Sequence, residues 1–161
     1  MKILSVDDLD KIAQEHSKRL YWPDAVKVNI GMASCGIAAG AQASYEKAKE
    51  VFPAGTGVQI CQTGCIGFCE EEPLVEVLGY GKPRVMYKNI TEDKIADVIN
   101  GYMDGDFNKK WILGQMRDAR NVLEDGTDNA LAETEPIDGI PYLEDIPFYS
   151  KQVKVALRNC G

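Results

Sequence analysis

The 161-residue sequence predicts an α/β fold, with a mixed four-stranded sheet, flanking helices and an extended C-terminal tail. The first observation is the order of periodic segments, in which helical and strand patterns alternate before two strands follow each other. The second is a change of composition after Gly105, where proline, glycine and acidic residues replace regular periodicity. We therefore expect one folded domain over residues 1–103 and a mostly irregular linker or tail over residues 104–161.

The first predicted element is a helix over residues 4–21 that precedes the first strand. Ser5 is suited to be its N-cap, because its side chain can accept from an amide of the first turn. Pro23 ends the helix. Residues 25–30 then alternate apolar and polar side chains, which is the period of a strand.

The rest of the domain follows the same local signals. Alanine with glutamate and lysine predicts a helix, and alternating apolar residues around a glycine-rich turn predict a hairpin. The expected elements are a helix, a short strand, a hairpin and a last helix, over residues 37–51, 58–61, 74–87 and 91–102. A right-handed crossover makes the first two strands parallel, and the complete order is the thioredoxin-like arrangement.

Four of the five cysteines fall within one short part of the chain, at Cys35, Cys61, Cys65 and Cys69. Thiolates suit soft iron, and a [2Fe-2S] cluster takes four such ligands. Gly64 and Gly67 would let the loop turn back on itself, so that its amide N–H groups approach the sulfurs. The pattern favours a metal site in this loop, and we expect both glycines to contribute to cofactor binding.

Three other interpretations compete with an iron–sulfur site. Structural zinc sites usually combine two close cysteine pairs, and here Cys35 stands alone. A redox disulfide would favour a C-x-x-C motif at a helix start, which the sequence lacks. Incidental free cysteines would explain one buried thiol better than four around two glycine-rich turns. No acid, base or nucleophile forms an evident catalytic constellation, so we assign no catalytic residue.

The charge balance restricts the kinds of partner. The formal charge is −7, from 18 basic and 25 acidic residues, which disfavours nucleic acid and anionic lipid. The sequence contains no apolar run near the roughly 20 residues that span a bilayer and no secretory leader. The odd number of cysteines fits a reducing compartment. We therefore expect a cytoplasmic protein that binds neither nucleic acid nor membrane.

Three motifs together carry a family resemblance. They are Cys-Gly-Ile-Ala-Ala-Gly-Ala at 35–41, Thr-Gly-Cys-Ile-Gly-Phe-Cys at 63–69 and Glu-Pro-Leu-Val-Glu-Val at 72–77. They resemble the thioredoxin-like [2Fe-2S] ferredoxin domain. More narrowly, they resemble the N-terminal extension of the flavoprotein subunits related to the NADH-binding subunit of complex I. These subunits occur in NAD(P)-linked, often electron-bifurcating, [FeFe]-hydrogenases and related oxidoreductases.

The resemblance implies an electron-transfer domain that carries a [2Fe-2S] cluster within a multi-subunit NAD(P)H-linked oxidoreductase or hydrogenase. Residues 153–161 are similar to the segment that leads into the flavin domain of such subunits. FMN, NAD and a [4Fe-4S] cluster are therefore expected only in a downstream domain beyond this chain. The implied partners are that flavin domain and the other redox subunits. The alternative is a cluster-free module of the same fold that docks subunits together.

The resemblance also implies a set of four ligands, from which the sequence departs at one place. The related small ferredoxin-like subunit of complex I carries its first two ligands as C-x₄-C. In this sequence the second cysteine of that motif would fall at position 40, five residues after Cys35, where Gly40 stands instead. Cys61 is the local substitute, so we expect Cys35, Cys61, Cys65 and Cys69 as metal ligands. If Cys61 were only a buried strand cysteine, three ligands would remain, which favours the docking module.

Two features adjoin the cysteine loop. Pro73 occupies the place where the thioredoxin-like fold often carries a cis-proline, so we expect a cis Glu72–Pro73 bond. Glu70, Glu71 and Glu72 would disfavour the more anionic reduced cluster and lower its potential. A solvated acidic loop is the commoner role for such a run of glutamates.

Overall fold

The computed structural model describes residues 5–21, 25–79, 81–117 and 134–153, with side chains described outside residues 14–21. The strands are β1 (Val26–Gly31), β2 (Val58–Thr63), β3 (Val75–Gly79), β4 (Lys82–Tyr87) and β5 (Ile112–Met116). The helices are α1 (Val6–Tyr21), α2 (Ser34–Ala38), α3 (Ala41–Val51), α4 (Ile95–Asp104) and α5 (Pro147–Ser150). No helix in these ranges is long and apolar enough to cross a membrane.

The strands form one mixed sheet in the order β2-β1-β3-β4-β5. β1 and β2 are parallel, and the other neighbouring pairs are antiparallel. This confirms the predicted α/β fold with flanking helices, including the parallel first pair and the hairpin of β3 and β4. The sheet has five strands, however, and not the four that the sequence predicted.

The additional strand, β5, lies in the part of the chain that was expected to be irregular. It pairs with β4, and Met86 lies opposite Gly114 in the register. All five residues of β5 are buried, so the strand shows no alternation of apolar and polar side chains. A strand that is covered on both faces loses the period-two pattern by which strands are recognised in sequence. The folded sheet therefore extends past the predicted boundary at residue 103.

The described part of the C-terminal segment, residues 134–153, covers the edge of β5. The Gln115 backbone N–H donates to the Pro141 carbonyl at 2.9 Å. The Gln115 side chain donates to the carbonyls of Ile137 and Ile140 and accepts from the Ile137 N–H. Gly114 permits this close approach, since a Cβ there would lie 3.1 Å from the Leu143 Cα. The segment therefore satisfies backbone groups that an open sheet edge would leave exposed.

The main core lies between one face of the sheet and helices α3 and α4. Its strand residues alternate along β1, β3 and β4, as predicted for half-buried strands. The α4 helix contributes Ile95, Val98 and Ile99, which are fully buried and form its apolar face. The strand residues of this core are Val28, Ile30, Val75, Val77, Val85 and Tyr87.

A second, smaller cluster occupies the opposite face of the sheet. Met86 and Leu113 of the sheet and Leu74, directly before β3, pack there with Leu143 and Tyr149 of the C-terminal segment. Two residues of the cysteine loop, Ile66 and Phe68, pack against this cluster. The cysteine loop is thus anchored to the sheet face opposite α3 and α4.

The helix boundaries show one confirmed cap and one unexpected break. Ser5 and Asp8 exchange backbone N–H to side-chain hydrogen bonds, at 3.1 and 3.2 Å, so Ser5 caps α1 as predicted. The single helix expected over residues 37–51 is two helices, α2 and α3. Gly40 separates them with a φ of 106°, a left-handed conformation that favours glycine.

Candidate metal centre

Three cysteine side chains converge at one end of the sheet. The Cys35 Sγ lies 3.6 Å from the Cys65 Sγ, and the Cys65 Sγ lies 3.7 Å from the Cys69 Sγ. All three sulfurs lie within 4.8 Å of one another. Cys35 and Cys65 are half-buried, whereas Cys69 is exposed. Three thiols at this separation can bind one metal ion or the irons of a small cluster.

The topology of the sheet explains why these cysteines meet. β1 and β2 are parallel, and their last residues, Gly31 and Thr63, lie opposite each other. The chain leaves β1 through α2, which carries Cys35, and leaves β2 through the loop that carries Cys65 and Cys69. The Met32 N–H donates to the Thr63 carbonyl at 2.8 Å, which holds the two exits together.

The two predicted loop glycines have different surroundings. Gly67 has a φ of 94°, and its backbone N–H donates to the Cys65 Sγ at 3.1 Å. Hydrogen bonds of this kind favour a sulfur that carries negative charge. Gly64 lines a small cavity beside Glu72. A binding role of Gly67 therefore has a direct geometric basis, and one of Gly64 stays a prediction.

The protonated thiols form a mutually hydrogen-bonded group. Hydrogen bonding with the Cys69 and Cys65 side chains, together with burial, raises the pKa of Cys35 to about 12. Ionising several thiols at these distances would place like charges side by side. A cation in the group would offset that repulsion and displace the protons, as metal binding does at thiolate sites.

Cys61 is not part of this group. It lies within β2, opposite Asn29 of β1, and is half-buried. The group of three sulfurs within 4.8 Å of one another, found among the described residues, does not contain it. The structure therefore brings together Cys35, Cys65 and Cys69 of the four expected ligands, and the role of Cys61 stays a prediction. Cys160 lies outside the described residues.

The three glutamates of the loop differ from one another. Glu70 is exposed. Glu71 pairs with Lys88 at 2.8 Å and accepts from the Asn89 side chain at 2.7 Å. Glu72 is only 6% exposed, so the commoner role of a solvated loop residue does not apply to it.

Glu72 faces the thiols. Its Oε1 lies 3.7 Å from the Cys35 Sγ, and its Oε2 accepts a hydrogen bond from the Leu74 N–H at 2.7 Å. The Glu72–Pro73 bond is cis, the geometry expected from the position of Pro73. The sequence alone predicts Glu72 only as a source of negative charge. Its place directly before Pro73 is the local signal that sets it apart from Glu70 and Glu71.

Comparison with known proteins connects this arrangement to a family. No family model matches the chain. The NADP-reducing hydrogenase subunit HndB of Solidesulfovibrio fructosivorans is 31% identical over 97 residues, which are 59% of this chain and 71% of that subunit. A solved thioredoxin-like [2Fe-2S] ferredoxin from Aquifex aeolicus matches with a TM-score of 0.50 and 14% identity, over 57% of this chain and 93% of its own.

The structural match shows the fold, which is thioredoxin-like as the sequence predicted. The sequence match reaches across most of the hydrogenase subunit, in agreement with the family resemblance of the cysteine motifs. The chain therefore belongs to the family of the NADP-reducing hydrogenase subunit HndB.

Proposed function

We propose that this chain is an electron-transfer domain that holds a [2Fe-2S] cluster within a multi-subunit NAD(P)H-linked oxidoreductase or hydrogenase. The observation that carries the proposal is the convergence of the Cys35, Cys65 and Cys69 sulfurs within 4.8 Å. The thioredoxin-like fold supports it, and the name of the related hydrogenase subunit supports the kind of parent enzyme. A bound cluster of this type accepts and releases one electron.

The donor set fits the cluster in its chemistry. Thiolates are the usual ligands of iron in [2Fe-2S] centres. The Gly67 N–H donates to the Cys65 sulfur, which favours the charged form of that ligand. The three converging thiols are one ligand fewer than such a cluster takes, and Cys61 was the ligand predicted to complete the set.

The exposure of the site supports electron exchange with a partner protein. Cys69 is exposed at the edge of the domain, and the neighbouring Glu70 is exposed as well. An electron could enter or leave at this edge without crossing the core. The surrounding negative charge favours a basic docking surface on the partner. We propose a flavin domain or another redox subunit as the partner, in the cytoplasm.

The test is metal analysis and EPR spectroscopy of protein purified without oxygen. We expect about two irons and two sulfides per chain, with a rhombic EPR signal after dithionite reduction. One zinc per chain and no iron would contradict the proposal. Folded protein without iron after chemical reconstitution would contradict it too, and would favour the cluster-free docking module.

A further inference from the structure

We propose that Glu72 is the fourth ligand of the metal centre, and that its carboxylate binds iron together with Cys35, Cys65 and Cys69. This inference rests on the proposed function, because it concerns the same site. It assigns mixed thiolate and carboxylate ligation where the sequence predicted four cysteines.

The first argument is the burial of a carboxylate that has no cationic side chain beside it in the described residues. Glu72 and Glu76 are both 6% exposed. Glu76 forms an ion pair with Arg84 and accepts from the Asn29 side chain at 2.6 Å. No lysine or arginine pairs with Glu72 in the part of the chain that the structure describes. A buried charge without a partner is costly, and a neighbouring iron would supply the missing positive charge.

The second argument is the orientation of the Glu72 carboxylate. Its Oε2 is held by the Leu74 N–H at 2.7 Å, while its Oε1 faces the Cys35 Sγ at 3.7 Å. One oxygen therefore fixes the side chain, and the other lies beside a thiol of the candidate centre. A ligand that is already oriented loses little conformational freedom when metal binds.

The third argument is the space around the carboxylate. A Cβ built on Gly31 would lie 3.3 Å from the Glu72 Oε2, and one on Gly36 would lie 3.2 Å from the same atom. A side chain at either glycine would press on the carboxylate. The two glycines on either side of Cys35 therefore leave the room in which Glu72 approaches its sulfur.

The fourth argument is the number of ligands. A [2Fe-2S] cluster takes four ligands, two on each iron. The three converging sulfurs supply three ligands, and the Glu72 Oε1 lies 3.7 Å from one of them, the Cys35 Sγ. Glu72 thus supplies the fourth donor, while Cys61 lies outside the group of converging sulfurs.

The decisive variant is Glu72→Gln, because glutamine keeps the shape and an acceptor for the Leu74 N–H but removes the anionic oxygen. Cys61→Ser tests the competing ligand. Glu70→Gln is the matched control, since it makes the same charge change at an exposed position of the same loop. Iron and sulfide content and the Mössbauer spectrum of oxidised, iron-loaded protein are measured for each variant and for the unchanged chain.

We expect two inequivalent ferric sites in the unchanged chain, because oxygen is a harder donor than sulfur. Glu72→Gln should lose iron or change the spectrum of one site, whereas Cys61→Ser and Glu70→Gln should leave both sites unchanged. A Glu72→Gln protein with an unchanged spectrum would overturn the ligand proposal and leave the electron-transfer function standing. An unchanged chain that never holds iron would overturn both.

A second variant keeps the test valid if Glu72→Gln fails to fold. The double change Gly31→Cys with Glu72→Ala offers a thiol beside the space that the carboxylate vacates, since the Gly31 Cβ position is 3.3 Å from its Oε2 and 3.5 Å from its Oε1. We expect this variant to hold a cluster whose two ferric sites give nearly the same Mössbauer parameters. A folded double variant that binds no iron, or that keeps the two inequivalent sites, would contradict the proposal.

Discussion

The rings of Phe68 and Phe148 stack with their centroids 4.2 Å apart and their planes 7° from parallel. Phe68 directly precedes Cys69, and Phe148 belongs to α5 in the C-terminal segment. Tyr149 adds an edge contact to Phe68 at 5.6 Å. The ligand loop is therefore held by a part of the chain that lies about 80 residues further on.

Replacing Phe148 with alanine should loosen the ligand loop without unfolding the domain. The stacked pair contributes about 1 kcal/mol, so the loop should open about fivefold more often. We expect the bound cluster to bleach about fivefold faster in air, as measured by the decay of its visible absorbance. Val153→Ala is the control, since Val153 is 88% exposed in the same segment. Equal decay rates in both variants would show that the stack does not protect the site.

The three converging cysteines should differ from Cys160 in their effect on iron binding. Cys35→Ser, Cys65→Ser and Cys69→Ser each remove a thiolate, and we expect each to lose most of the iron because serine binds iron poorly at neutral pH. Cys160→Ser controls for the general effect of losing a thiol and should keep the iron of the unchanged chain. If Cys35→Ser retains its iron, Cys35 is not a ligand, and α2 contributes no ligand to the metal centre.

Gly67→Ala should weaken both the fold and the hydrogen bond to the Cys65 sulfur. Alanine at a φ of 94° costs about 1–2 kcal/mol, which urea unfolding of the metal-free protein would measure. Relaxation of that strain should displace the N–H that donates to the Cys65 Sγ. The loss of a donor to sulfur should then lower the reduction potential of the loaded protein.

Gly55→Ala is the matched control for this prediction. Gly55 has a φ of 97° and, like Gly67, open space where a Cβ would lie. The two variants should lose similar stability, but only Gly67→Ala should shift the potential. The same potential shift in both variants would mean that backbone strain, and not the sulfur hydrogen bond, affects the cluster.

Local patterns in the sequence were sufficient for the elements that depend on near neighbours. The alternation along β1, the Ser5 cap and the apolar face of α4 each arise from residues only a few positions apart. The fifth strand could not be found in this way, because β5 is covered on its second face by residues 134–153. The unbroken burial of the β5 residues is explained only by the packing of that distant segment.

The same limit applies to the ligands. Cys61 and Cys65 are four residues apart, as are Cys65 and Cys69. An extended strand advances about 3.3 Å per residue, so the β2 residues after Cys61 carry the chain away from it, whereas the loop folds Cys69 back toward Cys65. The same sequence spacing of four residues therefore brings the Cys65 and Cys69 sulfurs together but leaves Cys61 outside the group. The burial of Glu72 likewise depends on the approach of Gly31 and Gly36, which no run of three glutamates reveals.

Gln115 is the residue whose loss should release the C-terminal segment from the sheet. It is 2% exposed and makes three side-chain hydrogen bonds to the backbone of residues 137 and 140. Gln115→Leu would leave these backbone groups without partners, which should cost about 2–4 kcal/mol in the free energy of unfolding. We expect a lower urea midpoint and faster proteolytic cleavage within residues 134–153.

The control for this prediction is Gln42→Leu, which removes an exposed glutamine whose side chain donates to the Glu46 carboxylate at 2.6 Å. It should change the urea midpoint little. The segment carries Phe148, so its release in Gln115→Leu should also speed the bleaching of the cluster, as Phe148→Ala does. If Gln115→Leu destabilises the sheet but leaves the bleaching rate unchanged, the segment supports the fold without protecting the metal centre.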